Sequence, residues 1–254
     1  MSEFQIRNQL LSALPARDQL YLQPLLEHVF LRHDDVLVEP FSKITHVHFV
    51  ETGLLSVLAN AGDREQAEVA MIGREGMSGL FLALGCAEVP FRTFVQRSGS
   101  AYRMSGEAFL QACHASAALH RAVLLYSQVF MTQVAETSRV NARHTVETRL
   151  ARWLLMAHDR ADGDDLPLTH EFLSLMLGVR RPGITVSLHV LEGEHMIRAR
   201  RGNIRILDRS KLQAAARGSY GLPEAEYDRL IGSISLDPLA SPHGERAGSP
   251  MAVA

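Results

Sequence analysis

The sequence predicts an α+β chain: a small antiparallel β sandwich or barrel, then a long helix, then a winged helix-turn-helix. Three observations lead there. Apolar residues recur with a period of two from about residue 35 and return to a helical period after Gly106. The stretch from Leu119 to Val140 keeps steps of four and three without a break. Positive charge gathers late: residues 180–211 hold 8 Lys+Arg against 3 Asp+Glu, whereas residues 1–140 hold 11 against 14.

In chain order, Leu10, Leu11, Leu14, Leu22, Leu25 and Leu26 fall at helical spacing, so residues 4–30 are expected as short helices. Val36 and Val38 then alternate, as do Val47 and Phe49, and Leu54–Ala59 and Ala67–Ile72 are short apolar runs. Glu39-Pro40, Thr52-Gly53, Ala61-Gly62-Asp63 and Ser98-Gly99 punctuate them as turns. Many short strands at this spacing suit a sandwich or barrel better than a parallel sheet. In the long helix, Leu119, Val123, Tyr126, Phe130, Gln133, Thr137 and Val140 make one seam, and Leu124, Ser127, Met131 and Val134 a second. A surface helix needs one apolar stripe. Two stripes suggest a helix held between its own barrel and a second body, most simply another copy of the chain; a fully buried core helix is the alternative. Another helix is expected over 143–158, closed by the acidic turn Ala161–Asp165. The expected divisions are 1–113, 114–141, 142–216, and 217–254, the last a short helix and, from about Asp237, a Pro- and Gly-containing tail without fixed structure.

Leu168 to Ile206 reads as one unit. Thr169 opens a short helix that ends at Gly178, Arg180-Arg181-Pro182 starts a second, and Arg200-Arg201-Gly202-Asn203 turns a basic hairpin. Leu173, Met176 and Leu177 on the first helix and Ile184, Leu188 and Leu191 on the second supply the contact between them. In such a unit the second helix enters the major groove by its N-terminal end. The residues expected at DNA are therefore Arg180, Arg181, Gly183, Thr185, Ser187 and His189, with Thr169 at phosphate and Arg200 and Arg201 on the flanking backbone or minor groove. The basic island also fits a solvated helix face, and the unit could instead serve protein contact.

The order of barrel, long helix and winged helix-turn-helix resembles the cyclic AMP receptor and fumarate–nitrate regulator (Crp/Fnr) family over roughly residues 10–212. The residues that carry the resemblance are Ile72-Gly73-Arg74-Glu75-Gly76-Met77, Val146-Glu147-Thr148-Arg149-Leu150-Ala151, and Leu168–Leu173 running to Gly178-Val179-Arg180-Arg181. The resemblance implies a cyclic-nucleotide-binding-type β jelly roll, a homodimer along the long helix with the second seam toward the partner, and double-stranded DNA as the target. It also implies RNA polymerase as a partner if the protein activates. By the same resemblance Gly73, Arg74, Glu75 and Gly76, with Arg92 and Thr93, stand where the family holds a nucleotide's phosphate and ribose. The match is imperfect: Arg74 intrudes before the glutamate, Arg92 falls one residue late, and Val134-Ala135 replaces the polar pair that meets adenine. Ordinary cyclic AMP sensing is not expected, and any effector of nucleotide type is left unspecified. Pro182 stands where the family's base-reading glutamate is, and Val186 where a later arginine is, so TGA-type half-sites are not expected.

Composition narrows the rest. The chain has 254 residues, 46% hydrophobic and 21% charged, the balance of a globular protein with a core. Neither a signal peptide nor a membrane span is expected, which points to the cytoplasm without membrane association. Two cysteines, Cys86 and Cys113, are too few for a disulfide framework or an iron–sulfur site. Cys86 is expected as a small buried hydrophobe. His46 and His48 share one strand face but make an incomplete metal site and are expected as a solvated pair. No nucleophile elbow, phosphate-loop lysine or paired carboxylates appear, so an enzyme is not expected.

Overall fold

The computed structural model describes residues 6–60, 66–232 and 234. The expected turn at Ala61-Gly62-Asp63 and the expected tail from Asp237 lie outside the described residues.

Two short helices open the chain, α1 (Gln9–Ser12) and α2 (Ala16–Leu22), and a 3₁₀ turn at Gln23–Leu25 follows. Strand β1 (Glu27–Leu31) then begins, where helix was expected to continue. Its side chains are mostly exposed and give no alternation, so pairing along β6 decides its conformation. The β roll continues through β2 (Val36–Val38), β3 (His46–Asn60), β4 (Gln66–Ile72), β5 (Met77–Ser78) and β6 (Phe91–Ser105). Its six antiparallel strands follow the order β1-β6-β3-β4, with β2 on β6 and β5 on β3. A 3₁₀ helix at Leu80–Leu84 separates β5 from β6.

Next come α3 (Gly106–Ala115), α4 (Ala117–Arg143) and α5 (Val146–Asp159). Ser116 and Thr145 cap the last two by accepting the N–H groups of Leu119 and Thr148. The seam from Leu119 to Val140 faces the roll as expected: Leu119, Val123, Tyr126, Phe130, Gln133 and Val140 are all buried. Gln133 is polar in this seam for a reason. Its Oε1 accepts the Met71 N–H at 2.6 Å and its Nε2 donates to the Met71 carbonyl at 3.2 Å, satisfying the outer edge of β4.

The chain continues through β7 (Asp165–Leu166), α6 (His170–Leu177), α7 (Arg181–Gly193), β8 (Ile197–Arg200), β9 (Asn203–Ile206), α8 (Arg209–Ala215) and α9 (Leu222–Leu230). β7, β9 and β8 form a small antiparallel sheet. One core unites α5, α6, α7 and this sheet through Leu150, Leu154, Leu173, Ile184, Leu188, Leu191 and Ile204. Leu54, Leu58, Met71 and Phe94 of the roll belong to the same core, so the helical unit is docked on the sheet. Helix α9 turns back onto α4, and Ile231 and Ile234 beyond it join the core of the roll. No described helix is long and apolar enough to cross a membrane.

The second seam of α4 is only half as expected. Leu124 and Met131 are 41% and 59% exposed, but Ser127 is buried with its hydroxyl on the Val123 carbonyl at 2.8 Å, and Val134 packs against the core of the roll. The outward face shifts by one residue and reads Leu124, Gln128, Met131 and Ala135.

Candidate nucleic-acid interface

Helices α6 and α7 meet at a tight turn. Gly178 sits at φ +61°, ψ +39°, the left-handed conformation that ends α6 and that a side chain would oppose. Thr169 caps α6 by accepting the Phe172 N–H at 3.1 Å, so its hydroxyl already has a structural task. Helix α7 starts at Arg181 with no side-chain cap, and its first-turn N–H groups carry the positive end of the helix dipole. Pro182 sits in that first turn, where its missing N–H costs nothing.

Arg180 and Arg181 are both exposed at this end, as expected. The outward face of α7 then carries Pro182, Val186, His189 and Val190, with Val186 62% exposed. Thr185 is half-buried and holds the Arg181 carbonyl at 3.2 Å and His170 Nδ1 at 3.0 Å. Gly183 is half-buried with open space where a Cβ would point. Ser187 corrects the expectation: it is 5% exposed, on the face shared with Ile184, Leu188 and Leu191. It cannot reach a groove. Val186 was not among the expected contacts, although helical spacing from Pro182 places both on the outward face.

The hairpin β8–β9 turns at Arg201 and Gly202, with φ +45° and +77°, the paired positive values of a tight hairpin turn. Arg200 and Arg201 are exposed at its tip. Thr169, Arg181 and Arg201 line a common cleft, which brings the two helix N-termini and the hairpin tip together. Of the sequence-predicted residues, Thr169, Arg181 and Arg201 therefore share one surface, whereas Arg180 lines a separate cleft with His33 and Asp34 of the roll and Ser187 is buried.

The nucleotide-type site does not assemble from the residues expected for it. Gly73–Gly76 is a reverse turn closed by the Gly76 N–H on the Gly73 carbonyl at 3.0 Å. The short helix that follows, Leu80–Leu84, has no glutamate. Glu75 is turned onto Arg160, whose Nε donates to Oε1 at 2.7 Å, and it also accepts the Gly73 N–H at 3.0 Å. Arg92 and Thr93 pair with Leu58 and Val57 on the far side of β3, while Ile72, just before the turn, pairs with Leu55 on the near side. Along with two interstrand steps, this puts Arg92 roughly 10 Å or more from the turn. Arg92 instead faces Glu39 at 3.7 Å and lies over the Phe94 ring, and Thr93 is buried. Arg74 reaches Asp162 at 3.4 Å. Phe81 of the 3₁₀ helix stacks on Phe91 and meets Phe130 edge-on, giving this part of the roll an apolar filling.

Two further expectations change. His48 is buried beside Ser78, and burial together with His46 and Arg103 lowers its pKa to about 4, so it is neutral rather than solvated. Cys86 is exposed and Cys113 buried. Among the described residues no group of three or more His, Cys, Asp or Glu could hold a metal.

Sequence reasoning also missed the contact between the roll and the helix-turn-helix unit. Trp153 Nε1 of α5 donates to Glu68 Oε2 of β4 at 2.5 Å, and the indole meets Phe172 edge-on. Arg149 donates to the Leu177 carbonyl at the end of α6. Nothing local in the sequence pairs these positions.

Residues 148–215 match the family model of the Crp-like helix-turn-helix domain. No curated protein matches the sequence. Among solved structures the chain is similar to FixK2 from Bradyrhizobium japonicum, with a TM-score of 0.65, 15% identity, and coverage of 75% of this chain and 96% of that one. It is also similar to a CRP-family transcriptional regulator from Thermus thermophilus, with a TM-score of 0.62, 16% identity, and coverage of 76% and 98%. The c-di-GMP-responsive global regulator CLP from Xanthomonas campestris superposes with a TM-score of 0.61 at 14% identity, covering 76% and 99%. Residues 148–215 are thus similar to a Crp-like helix-turn-helix domain, and they are docked on a β roll whose fold these structures share.

Proposed function

We propose that the protein binds DNA as a cytoplasmic homodimer and reads sequence through the outward face of α7. The observation that carries this is the convergence of Arg181, Arg201 and the uncapped start of α7 on one exposed, basic surface. A helix N-terminus and flanking guanidinium groups hold phosphate, and an arginine can pair bidentately with guanine. Val186, the most exposed apolar side chain of α7, is suited to a thymine methyl group, while Pro182 offers no acceptor to cytosine. An unbiased selection of bound duplexes is expected to return half-sites other than the TGA type. In the selected site, Arg181→Ala is expected to cost about 1–2 kcal/mol at one base position. Arg201→Ala should weaken all sequences alike and lower the salt slope by about one. Enrichment of TGTGA or TTGAT would sink the base-reading argument. Affinity indifferent to salt would favour protein contact as the role of the helix-turn-helix.

The dimer reading rests on Leu124 and Met131, exposed one heptad apart on a helix whose other face is already buried. Met131→Glu is expected to convert the protein to a monomer in light scattering and to weaken operator binding at least tenfold. Ser127→Ala, on the inward side, should leave both unchanged. If Met131→Glu stays dimeric, α4 is not the dimer axis.

A further inference from the structure

Helix α9 does not seal completely against the body of the protein. Between α9, α4, the turn at 73–76 and the end of α5 remains a cleft of about 160 Å³. Its apolar wall is made by Val129, Phe130 and the ring of Tyr126. That volume is close to the engineered apolar cavities that accept one benzene ring.

The polar wall is selective. It carries two cations, Arg74 and Arg160, against four carboxylates, Glu75, Asp159, Glu224 and Asp228. Both cations already have partners: Arg160 is paired with Glu75 at 2.7 Å and Arg74 with Asp162 at 3.4 Å. Asp159 is held by Arg209 at 2.5 Å and by the Tyr220 hydroxyl at 2.6 Å. Glu224 Oε2 and Tyr227 Oη, in contrast, are buried and have no hydrogen-bond partner. A buried polar atom left without a partner is costly, and native structures leave few of them. Burial raises the Glu224 carboxyl, and its ionised form can only accept, so the partner that would hold its charge is a donor. The excess of negative charge on the wall favours a cationic one.

We propose that this cleft binds a small organic primary amine, its ammonium group on Glu224 Oε2 and Tyr227 Oη and its hydrocarbon part against Val129, Phe130 and Tyr126. The walls come from the roll, the long helix, the helix-turn-helix domain and α9, so the ligand bridges every body of the chain. The regulatory consequence rests on the reading of the chain as an effector-responsive regulator; the binding itself does not.

The full-length protein is titrated by calorimetry and thermal shift with n-butylamine, isoamylamine and benzylamine, and in parallel with benzyl alcohol and benzoate. At least one amine is expected to bind saturably in the submillimolar range and raise the melting temperature, with benzoate at least tenfold weaker. Glu224→Gln is expected to weaken the amine at least tenfold, and Tyr227→Phe severalfold, with folding checked by the unliganded melt. Should Glu224→Gln not fold, Tyr227→Phe and the amine-to-benzoate ratio carry the test. No shift with any amine, an equal shift with benzoate, or an undiminished shift in both variants overturns the proposal, the cleft then holding water only. Operator binding measured on the same samples keeps the two readings apart: DNA binding without amine binding removes only this inference.

Discussion

Glu68→Gln is expected to erase about 2–3 kcal/mol of the stability difference between pH 5 and pH 8. Glu68 is fully buried where β4 meets α5, and burial pushes its carboxyl up to about 7 against hydrogen bonds from Ser56 and Trp153 and the nearby charges of Arg160 and Arg152. Its Oε1 has no partner. The ordinary value is 4.5, so between pH 4.5 and 7 the folded chain keeps a proton that the unfolded chain has released. Stability therefore falls as pH rises through that window, and the loss is complete once both forms are ionised above pH 7. Glutamine keeps an acceptor for the Trp153 N–H and carries no charge. Urea midpoints at pH 5 and pH 8 decide the matter: the wild type should lose stability between them and the variant should lose far less. Parallel pH slopes in the two proteins would mean that Glu68 is not buried as an acid. The contact at stake joins the roll to the helix-turn-helix domain, so the loosening at high pH falls between those two bodies.

Much of this architecture is legible from periodicity because the forces that set it are local. The seam from Leu119 to Val140, the turn at Gly178 and the basic hairpin at Arg201 each follow from spacing or backbone preference within a few residues. Ser187 was legible too: three residues after Ile184 and four before Leu191, it belongs on the inward stripe. The remaining differences come from partners distant in sequence. β1 has little burial pattern of its own and is a strand because β6 lies beside it. The outward face of α4 is displaced by one residue because Val134 is taken into the core of the roll. The run Gly73-Arg74-Glu75-Gly76 resembles a phosphate cradle until Arg160 takes Glu75 from 85 residues downstream. The cleft under α9 exists only because residues beyond 220 fold back onto α4.

The turn at 73–76 supplies the other large expected effect. Gly76→Ala should cost about 3 kcal/mol, the upper end of ordinary overpacking. A Cβ at Gly76 would lie 1.9 Å from Tyr126 Oη, 2.2 Å from Cζ and 2.6 Å from Cε2. Tyr126 is 3% exposed, and its ring could give way only into the cleft it lines under α9, losing its packing on the turn. The turn cannot retreat, because Asn8 Nδ2 donates to the Gly76 carbonyl at 2.8 Å and to Val50 at 2.9 Å from a buried position. The clash would also separate the Tyr126 hydroxyl from the Met77 backbone it bonds. A double-mutant cycle isolates the cause. In a Tyr126→Ala background, itself destabilised by about 3–5 kcal/mol, Gly76→Ala should cost under about 1 kcal/mol, because the colliding atoms are gone. An equal cost in both backgrounds would mean that Tyr126 does not fill the turn. The space beside Gly73–Gly76 would then be open to an outside ligand, and crowding by Tyr126 would no longer help to explain why no phosphate cradle forms there.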